Sequence, residues 1–287
     1  MADDNPWLAR RVFNWAHQGG AREGPSNTLW AMRRAMTEAG AHGLEIDVHR
    51  TADGVLVVAH DDDLVRMTGA PGRIATSTLE ELRRLDAAHN WIPGKVASDT
   101  AGPGEDWPLR HQGTGPIDPD LRIPTLEEVF DAFPGVALNI EIKRRPAARP
   151  LADLLARTGR DDVIVVSIRP VALWLFRRRV RHNHHSVPLA MGPIGLALFW
   201  LASRVGIALP ARGHVAVQMP LRFKGRRVTD RRFVHAAHRS GLAVHVWTLD
   251  ERPDIEKAID LGADGIMSDR PTEVTTVLAE RGVGWRP

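Results

Sequence analysis

Short apolar runs alternate with helix-like stretches along most of the chain. The apolar runs are rich in β-branched residues, which favour strands, and they cover residues 12–16, 43–48, 55–59, 137–142, 163–166, 215–218, 244–247 and 265–267. The helix-like stretches cover residues 28–39, 126–132, 150–158, 170–180, 230–240, 254–261 and 272–280. Strands that alternate with helices are typical of a parallel α/β sheet, and about eight units favour a closed TIM (β/α)8 barrel. An open doubly wound sheet is the alternative.

Helix starts are marked by polar residues of the N-cap type, and we expect caps at Asn27, Thr125 and Asp230. Two segments interrupt the alternation of strands and helices. Residues 87–122 are rich in Gly, Pro and Asp, and loops of that length are usually lids or binding loops. Residues 187–209 form an apolar insertion with no charge before Arg204. We therefore predict one barrel domain over residues 1–287 with two insertions.

The composition argues against nucleic-acid binding and excludes chemistry that needs cysteine. The chain has 38 Lys and Arg against 35 Asp and Glu, a formal net charge of +3, and neither Tyr nor Cys. The pI of 9.9 therefore exaggerates how basic the surface is, because almost nothing titrates between His and Lys. The basic residues are scattered, so we expect no nucleic-acid partner. Without cysteine, disulfides and thiolate chemistry are excluded.

The N-terminus lacks the apolar core of a cleaved signal peptide, so we expect a cytoplasmic protein. Pro188 and Pro193 keep any helix in the apolar insertion shorter than a membrane span. Two interpretations of residues 187–209 stay open. The segment is either a helix and loop packed on the barrel, or an interfacial element for peripheral membrane contact, with Arg177, Arg178, Arg179 and Arg181 beside it.

Candidate chemistry begins with two carboxylates on one predicted strand. Glu45 and Asp47 alternate with Leu44, Ile46 and Val48, so the two acids share a face. The apolar face must pack on helices, which turns the carboxylates into the barrel. Neighbouring buried carboxylates repel and lose hydration, and a cation between them offsets both costs. Oxygen ligands suit Mg²⁺ or Ca²⁺, so we predict one divalent cation here.

Two histidines lie close to this pair in the predicted fold. Asp53-Gly54 predicts a tight turn that returns the chain antiparallel and brings His60 beside the carboxylates. His17 ends the first strand, at the end of a barrel where active sites lie. Both are candidates for catalysis. His49 shares the carboxylate face and is either structural or a support for the site.

A third carboxylate comes from the strand at residues 137–142. Glu141 and Lys143 share a face of the Asn139-Ile140-Glu141-Ile142-Lys143 run. They form either an internal ion pair, or a further metal carboxylate beside a cation for a phosphate oxygen.

Several separate motifs, in order and spacing, resemble the glycerophosphodiester phosphodiesterase family, and the resemblance is closest to its lysophospholipase D-like members. It extends from about residue 12 to 275 and rests on His17-Gln18-Gly19-Gly20, Ser26-Asn27-Thr28, Glu45-Ile46-Asp47, Asp53-Gly54, His60-Asp61, Asn139-Ile140-Glu141-Ile142-Lys143, Trp247-Thr248 and the run from Asp264 to Asp269.

The resemblance implies a TIM barrel that holds one divalent cation through Glu45, Asp47 and Glu141. It implies acid–base catalysis by His17 and His60. Lys143, Gln18 and Trp247 then contact the substrate, a glycerophosphodiester or lysophospholipid that is cleaved to an alcohol and a phosphomonoester. The family usually has Arg where this chain has Gln18, and Glu where it has Ser26. Gln18 still offers a hydrogen bond to a phosphate oxygen but brings no charge.

Three alternatives remain open. A lipid-binding barrel with weak catalysis would bind the same ligands without forming product. A phospholipase D-like enzyme directed at sphingolipids would use similar chemistry on another substrate. A nucleic-acid-binding protein would show DNA affinity that depends strongly on salt.

Overall fold

A ring of short parallel strands surrounded by helices forms the body of the protein. The computed structural model describes residues 5–8, 12–95 and 118–285. Its strands are β1 (Phe13–His17), β2 (Gly43–Arg50), β3 (Leu56–Val58), β4 (Ala137–Ile142), β5 (Val163–Val166), β6 (Ala216–Pro220), β7 (Arg222–Phe223), β8 (Arg226–Arg227), β9 (Ala243–Trp247) and β10 (Gly265–Ser268). The strands pair in the order β5-β4-β2-β1-β10-β9-β6, all parallel.

Helices follow most strands and cover the outside of the ring. They are α1 (Leu29–Thr37), α2 (Val65–Thr68), α3 (Leu79–Leu82), α4 (Leu126–Ala132), α5 (Ala148–Thr158), α6 (Pro170–His182), α7 (Pro193–Arg204), α8 (Arg231–Arg239), α9 (Arg252–Leu261) and α10 (Pro271–Arg281). Thr125 and Asp230 cap α4 and α8, as predicted, by accepting hydrogen bonds from Glu128 N and Phe233 N.

The ring closes through two residues that lie between β5 and β6. Ala190 N donates to Val165 O at 3.0 Å, and Val215 N donates to Leu189 O at 2.8 Å. Parallel bridges pair Leu189 with Val165 and Ala190 with Ala216. Leu189 and Ala190 therefore supply the eighth parallel strand position, and the predicted TIM-barrel fold is confirmed.

The apolar segment 187–209 thus has two parts. Its first residues belong to the barrel, and only the later ones, including α7, lie outside the ring of strands. The predicted strand at 55–59, by contrast, is not one of the parallel strands of the ring. It contains β3, which pairs antiparallel with β2. No helix among the described residues is both long and apolar enough to cross a membrane.

The predicted lid-like insertion lies in part outside the described residues, since 96–117 are not among them. Its two described ends are joined, because Ala87 N donates to Leu121 O at 3.1 Å. Trp91 Nε1 donates to Ala21 O at 2.9 Å, in the loop that comes after β1. The insertion therefore begins and ends beside the carboxyl end of the barrel.

The two faces of the central strands divide as the sequence predicted. Leu44, Ile46 and Val48 are fully buried and pack in one cluster with residues of α4 and α5. Their neighbours Glu45 and Asp47 therefore point into the barrel. Inside, the lower half, towards the amino ends of the strands, is filled by a cluster in which Trp15 packs with Trp7, Phe13 and smaller aliphatic residues.

His245 is part of this lower interior and is held without a hydrogen-bonding partner. It is fully buried, its ring lies 5.6 Å from that of Trp15, and neither ring nitrogen has a partner among the described residues. Gly265 leaves the room for it, since a Cβ there would lie 2.7 Å from His245 Cδ2. Burial lowers the pKa of His245 to about 3, so the ring is neutral in the folded protein.

Acidic pH is therefore expected to destabilise the fold through His245. Below pH 6.5 His245 is protonated in the unfolded chain, whereas in the folded chain it stays neutral until about pH 3. Protonation therefore favours the unfolded chain increasingly as the pH falls, and the folded state loses stability. Between pH 7.5 and 5 the loss is about 2 kcal/mol. Urea unfolding of the wild type and of His245→Leu at both pH values tests this. The variant should lose less stability on acidification, and equal losses would contradict the assignment.

Candidate active site

Polar side chains gather where β1, β2 and β4 end at the carboxyl side of the barrel. Strand register places His17 beside Glu45 and places Asp47 beside Glu141. Active sites of TIM barrels are built at this end, from the residues that finish the strands. Three neighbouring strands therefore bring one predicted histidine and all three predicted carboxylates together.

The carboxylates of Glu45, Asp47 and Glu141 form one compact cluster. One oxygen of each lies within 4.8 Å of the others. Glu45 and Asp47 are almost completely buried, and Glu141 Oε1 is a buried oxygen with no hydrogen-bonding partner among the described residues. Burial and then the charge of Asp47 raise the pKa of Glu45 to about 8, and the same two causes raise that of Glu141. An acidic cluster with an unsatisfied oxygen fits a hard divalent cation.

Lys143 and Asn27 hold the central carboxylate of the cluster. Lys143 Nζ lies 3.2 Å from Asp47 Oδ1 and 3.3 Å from Glu141 Oε2, which is the internal ion pair that the sequence left open. Asn27 Nδ2 donates to Asp47 Oδ2 at 3.0 Å. Burial alone would raise the pKa of Asp47, but Lys143, the two histidines and Asn27 lower it instead. Asp47 therefore stays ionised within the cluster.

Asn27 was expected to cap the first helix, and that prediction was wrong. Thr28 is the N-cap of α1, and its hydroxyl accepts a hydrogen bond from Ala31 N. Asn27 adopts a left-handed backbone (φ 59°), which Asn tolerates better than most residues. This conformation turns its amide towards Asp47, so Asn27 is a site residue to which the sequence had assigned only a capping role.

His17 is fixed from one side by a residue near the other end of the chain. His17 Nδ1 lies 2.6 Å from Asp269 Oδ1, and His17 Nε2 lies 3.7 Å from Glu45 Oε2. Burial alone would lower the pKa of His17, but Asp269, Glu45 and Asp47 outweigh it and raise the pKa to about 10. Asp269 is itself held by Asp250, whose Oδ1 accepts a hydrogen bond from Asp269 N at 2.8 Å.

His60 comes after the antiparallel strand β3 and has its own carboxylate partner. Its Nδ1 lies 2.8 Å from Asp61 Oδ1, and Arg66 contacts both residues. His49 lies behind it, with Nε2 3.2 Å from the carbonyl oxygen of His60. His49 thus supports the chain that carries His60. Asp61, which belongs to the His60-Asp61 motif, and Arg66 are further site residues to which the sequence assigned no role.

One cavity of about 480 Å³ joins these groups. Its polar lining comes from His17, Glu45, His60, Asn139, Glu141, Lys143, Ser167, Gln218 and Thr248, and its apolar lining comes from Val166, Ile168, Met191, Pro193, Leu196, Met267 and Trp247. Gln218 Nε2 donates to Asn139 Oδ1 at 2.6 Å, which fixes both amides in the wall. The cavity offers an apolar surface next to a charged one.

The three residues expected to contact substrate take different positions. Trp247 lies at the mouth of the cavity with 40% of its surface exposed, and Lys143 lies in the polar wall. Gln18 is buried, is not part of the cavity wall, and donates its backbone N–H to Glu45 Oε2 at 3.2 Å. In this arrangement Gln18 contacts the acidic cluster through its backbone.

The sequence and the fold of this chain are both similar to those of known phosphodiesterases. The sequence model of the Glycerophosphoryl diester phosphodiesterase family matches residues 17–273. The glycerophosphodiester phosphodiesterase of Caldanaerobacter subterraneus subsp. tengcongensis is 30% identical over 93% of this chain and 98% of its own. The human lysophospholipase D GDPD1 is 27% identical over 92% of this chain and 85% of its own. An Oleispira antarctica phosphodiesterase, solved with the product sn-glycerol-3-phosphate, superimposes with a TM-score of 0.69 at 22% identity, covering 94% of this chain and 97% of that one.

Proposed function

The chain belongs to the glycerophosphoryl diester phosphodiesterase family and is a phosphoric diester hydrolase, and we propose that it cleaves glycerophosphodiesters or lysophospholipids with one divalent cation and two acid–base histidines. The observation that carries this proposal is the acidic cluster beside His17 and His60 in a single cavity. A phosphodiester is an anion, and its hydrolysis needs positive charge at the phosphate oxygens together with groups that move protons.

Glu45, Asp47 and Glu141 would hold the cation. Glu141 Oε1 is buried and has no hydrogen-bonding partner in the described part of the chain, and the pKa values of Glu45 and Glu141 are raised. Both observations support this assignment, since a cation satisfies the oxygen and relieves the repulsion. When bound, Mg²⁺ or Ca²⁺ neutralises phosphate oxygens as charge develops in the transition state. Lys143 adds a fixed positive charge in the same wall.

His17 and His60 would move the protons. Each has Nδ1 on a carboxylate, Asp269 and Asp61 respectively, which leaves Nε2 for the substrate. One histidine takes the proton of the attacking hydroxyl, which belongs to water or to a neighbouring substrate group. The other protonates the alcohol oxygen as its bond to phosphorus breaks. Attack by a substrate hydroxyl gives a cyclic phosphate, which water then opens to the phosphomonoester.

The whole of residues 1–287 would act as one barrel domain, a proposal that the match over residues 17–273 supports. Trp247 at the cavity mouth would contact the alcohol part of the substrate. The apolar wall, which includes Met191 and Leu196, would suit an acyl chain next to the phosphate.

The substrate test is a panel of glycerophosphocholine, lysophosphatidylcholine and sphingomyelin with the products identified by mass spectrometry. We expect choline together with glycerol 3-phosphate from the first substrate and with lysophosphatidic acid, in its open or cyclic form, from the second. Turnover of sphingomyelin alone would favour a sphingolipid-directed enzyme. Binding of all three without product would favour a lipid-binding barrel and contradict the proposal.

A further inference from the structure

Large hydrophobic side chains are exposed on one side of the carboxyl end of the barrel. Of the eleven exposed large hydrophobic residues among those described, nine follow three adjacent strand positions, β5, Leu189–Ala190 and β6, and a tenth, Trp247, ends the neighbouring strand β9. We call seven of them the apolar rim: Ile168, Val171, Trp174, Ile194, Leu198, Phe223 and Trp247. Exposed large hydrophobic residues concentrated in one part of a surface mark an interaction site.

The same part of the chain is strongly cationic. From Val163 to Thr229 the sequence contains eleven Lys and Arg and no Asp or Glu, whereas the whole chain has a net charge of only +3. This segment therefore carries more positive charge than the net excess of the whole chain, and the rest of the chain is net acidic. The described residues place no carboxylate within ion-pair distance of Arg177, Arg178, Arg181, Arg226 or Arg227.

The cations lie directly beside the apolar rim. The Arg178 guanidinium is 5.6 Å from the centre of the Trp174 ring, and Lys224 Nζ is 5.7 Å from that of Phe223. Trp174 separates two surface grooves, one lined by Arg177 and Arg181 and the other by Arg50, Arg145 and Arg149. Aromatic side chains flanked by arginine are the composition of a surface that enters the headgroup layer of an anionic bilayer.

The apolar rim is continuous with the catalytic cavity. Met191 lines both that cavity and the groove next to Trp174 and Ile194. Ile168 and Trp247 belong to the rim and also to the cavity wall. Helix α7 is fixed to the barrel by its buried Phe199, which packs against Phe233, while Ile194 and Leu198 stay more than half exposed.

We infer that the apolar rim and its arginines dock the enzyme on an anionic phospholipid bilayer, so that a lysophospholipid moves from the bilayer into the cavity past Ile168, Met191 and Trp247. The part that concerns the lysophospholipid rests on the proposed function, whereas the docking itself does not. Nucleic acid is the less favoured partner, because it would leave the exposed aliphatic residues Ile194 and Leu198 without a role.

Vesicle co-sedimentation of the full chain tests the docking without any turnover. We expect binding to vesicles of phosphatidylglycerol and phosphatidylcholine and little binding to phosphatidylcholine alone. Arg178→Glu/Arg181→Glu should lower the partition coefficient about 30-fold or more, since each cation contributes about 1 kcal/mol near an anionic surface. Ile194→Ser/Leu198→Ser should lower it at least about tenfold.

Matched control variants test whether a loss of vesicle binding is specific to this surface or follows from any similar change of charge or polarity. Arg84→Glu/Arg157→Glu makes the same charge change at two exposed arginines elsewhere, and Val65→Ser removes an exposed hydrophobic residue outside the rim. Both should bind vesicles like the wild type. Wild-type protein that stays in the supernatant, equal losses in the controls, binding only to a DNA duplex, or self-association through the rim would each overturn the inference.

The dependence on the proposed function is tested separately. The variants Arg178→Glu/Arg181→Glu and Ile194→Ser/Leu198→Ser should hydrolyse soluble glycerophosphocholine at the wild-type rate. Their activity on lysophosphatidylcholine held in anionic vesicles should be at least about tenfold lower than that of the wild type. Equal rates on vesicles would overturn the role of the surface in substrate access. Absence of hydrolysis by the wild type would contradict the proposed function and leave the binding result standing.

Discussion

Replacing His17 with alanine is expected to lower kcat for glycerophosphocholine hydrolysis by about 10²–10⁴-fold, the usual contribution of a general acid or base. His60→Ala should have a similar effect. The physical reason is that each imidazole is oriented through Nδ1 by a carboxylate and faces the cavity with the acidic cluster. Steady-state kinetics over a range of substrate concentrations measures kcat separately from KM. We expect the main loss in kcat, because the protons move in the transition state.

A control variant tests whether the loss of kcat is specific to the site, and a second variant tests how His17 is held. His235→Ala removes an exposed histidine of α8 and should leave kcat unchanged. Asp269→Asn removes the charge that fixes His17, so it should lower kcat less than His17→Ala and shift the kinetic pKa of His17 downwards. If His17→Ala kept more than a tenth of the wild-type kcat, His17 would have no acid–base role.

Glu141→Gln should weaken divalent-cation binding by at least about 100-fold, since even residues that only orient ligands contribute 10–100-fold. Glu141 provides one of three carboxylates, and its buried Oε1 has no partner among the described residues. Isothermal titration calorimetry with Mg²⁺ and Ca²⁺ measures the affinity directly. Raised cation concentration should restore part of the activity.

Glu80→Gln is the matched control, because Glu80 is exposed and lies on the small helix α3, away from the acidic cluster. It should bind cations like the wild type. An unchanged cation affinity in Glu141→Gln would remove Glu141 from the set of ligands and leave its pairing with Lys143 as its role.

The sequence predicted the barrel because its strands are set by local patterns. Leu44, Ile46 and Val48 alternate with Glu45 and Asp47, and this alternation is enough to assign the two faces of β2. The closing strand was missed because Leu189 and Ala190 are too few to show a period, and Pro188 precedes them. Their strand conformation depends on hydrogen bonds from β5 and from the chain at β6.

The part of the site formed by residues on neighbouring strands could be predicted from the sequence. The part that depends on contacts between residues far apart in the chain could not. Glu141 could be placed beside Asp47 because parallel strands bring equivalent positions together. The bond between His17 and Asp269 joins residues 252 positions apart, and no local pattern indicates it. Asn27 was assigned to a cap because both Asn27 and Thr28 suit that position, and only the contact with Asp47 decides between them.

The acid-free segment from Val163 to Thr229 illustrates the same limit. Its charge is visible in the sequence, but the sequence alone does not show that three adjacent strand positions, β5, Leu189–Ala190 and β6, place its exposed residues together. The fold places Arg177 and Arg181 in a groove that shares Met191 with the cavity.

Reversible removal of the cation tests whether this phosphodiesterase depends on a metal ion. Glycerophosphocholine turnover by the wild-type enzyme should fall to background in excess EDTA and return when Mg²⁺ or Ca²⁺ is added beyond the chelator, because the acidic cluster alone repels an anionic phosphodiester. Undiminished turnover in excess EDTA would contradict the proposed metal dependence.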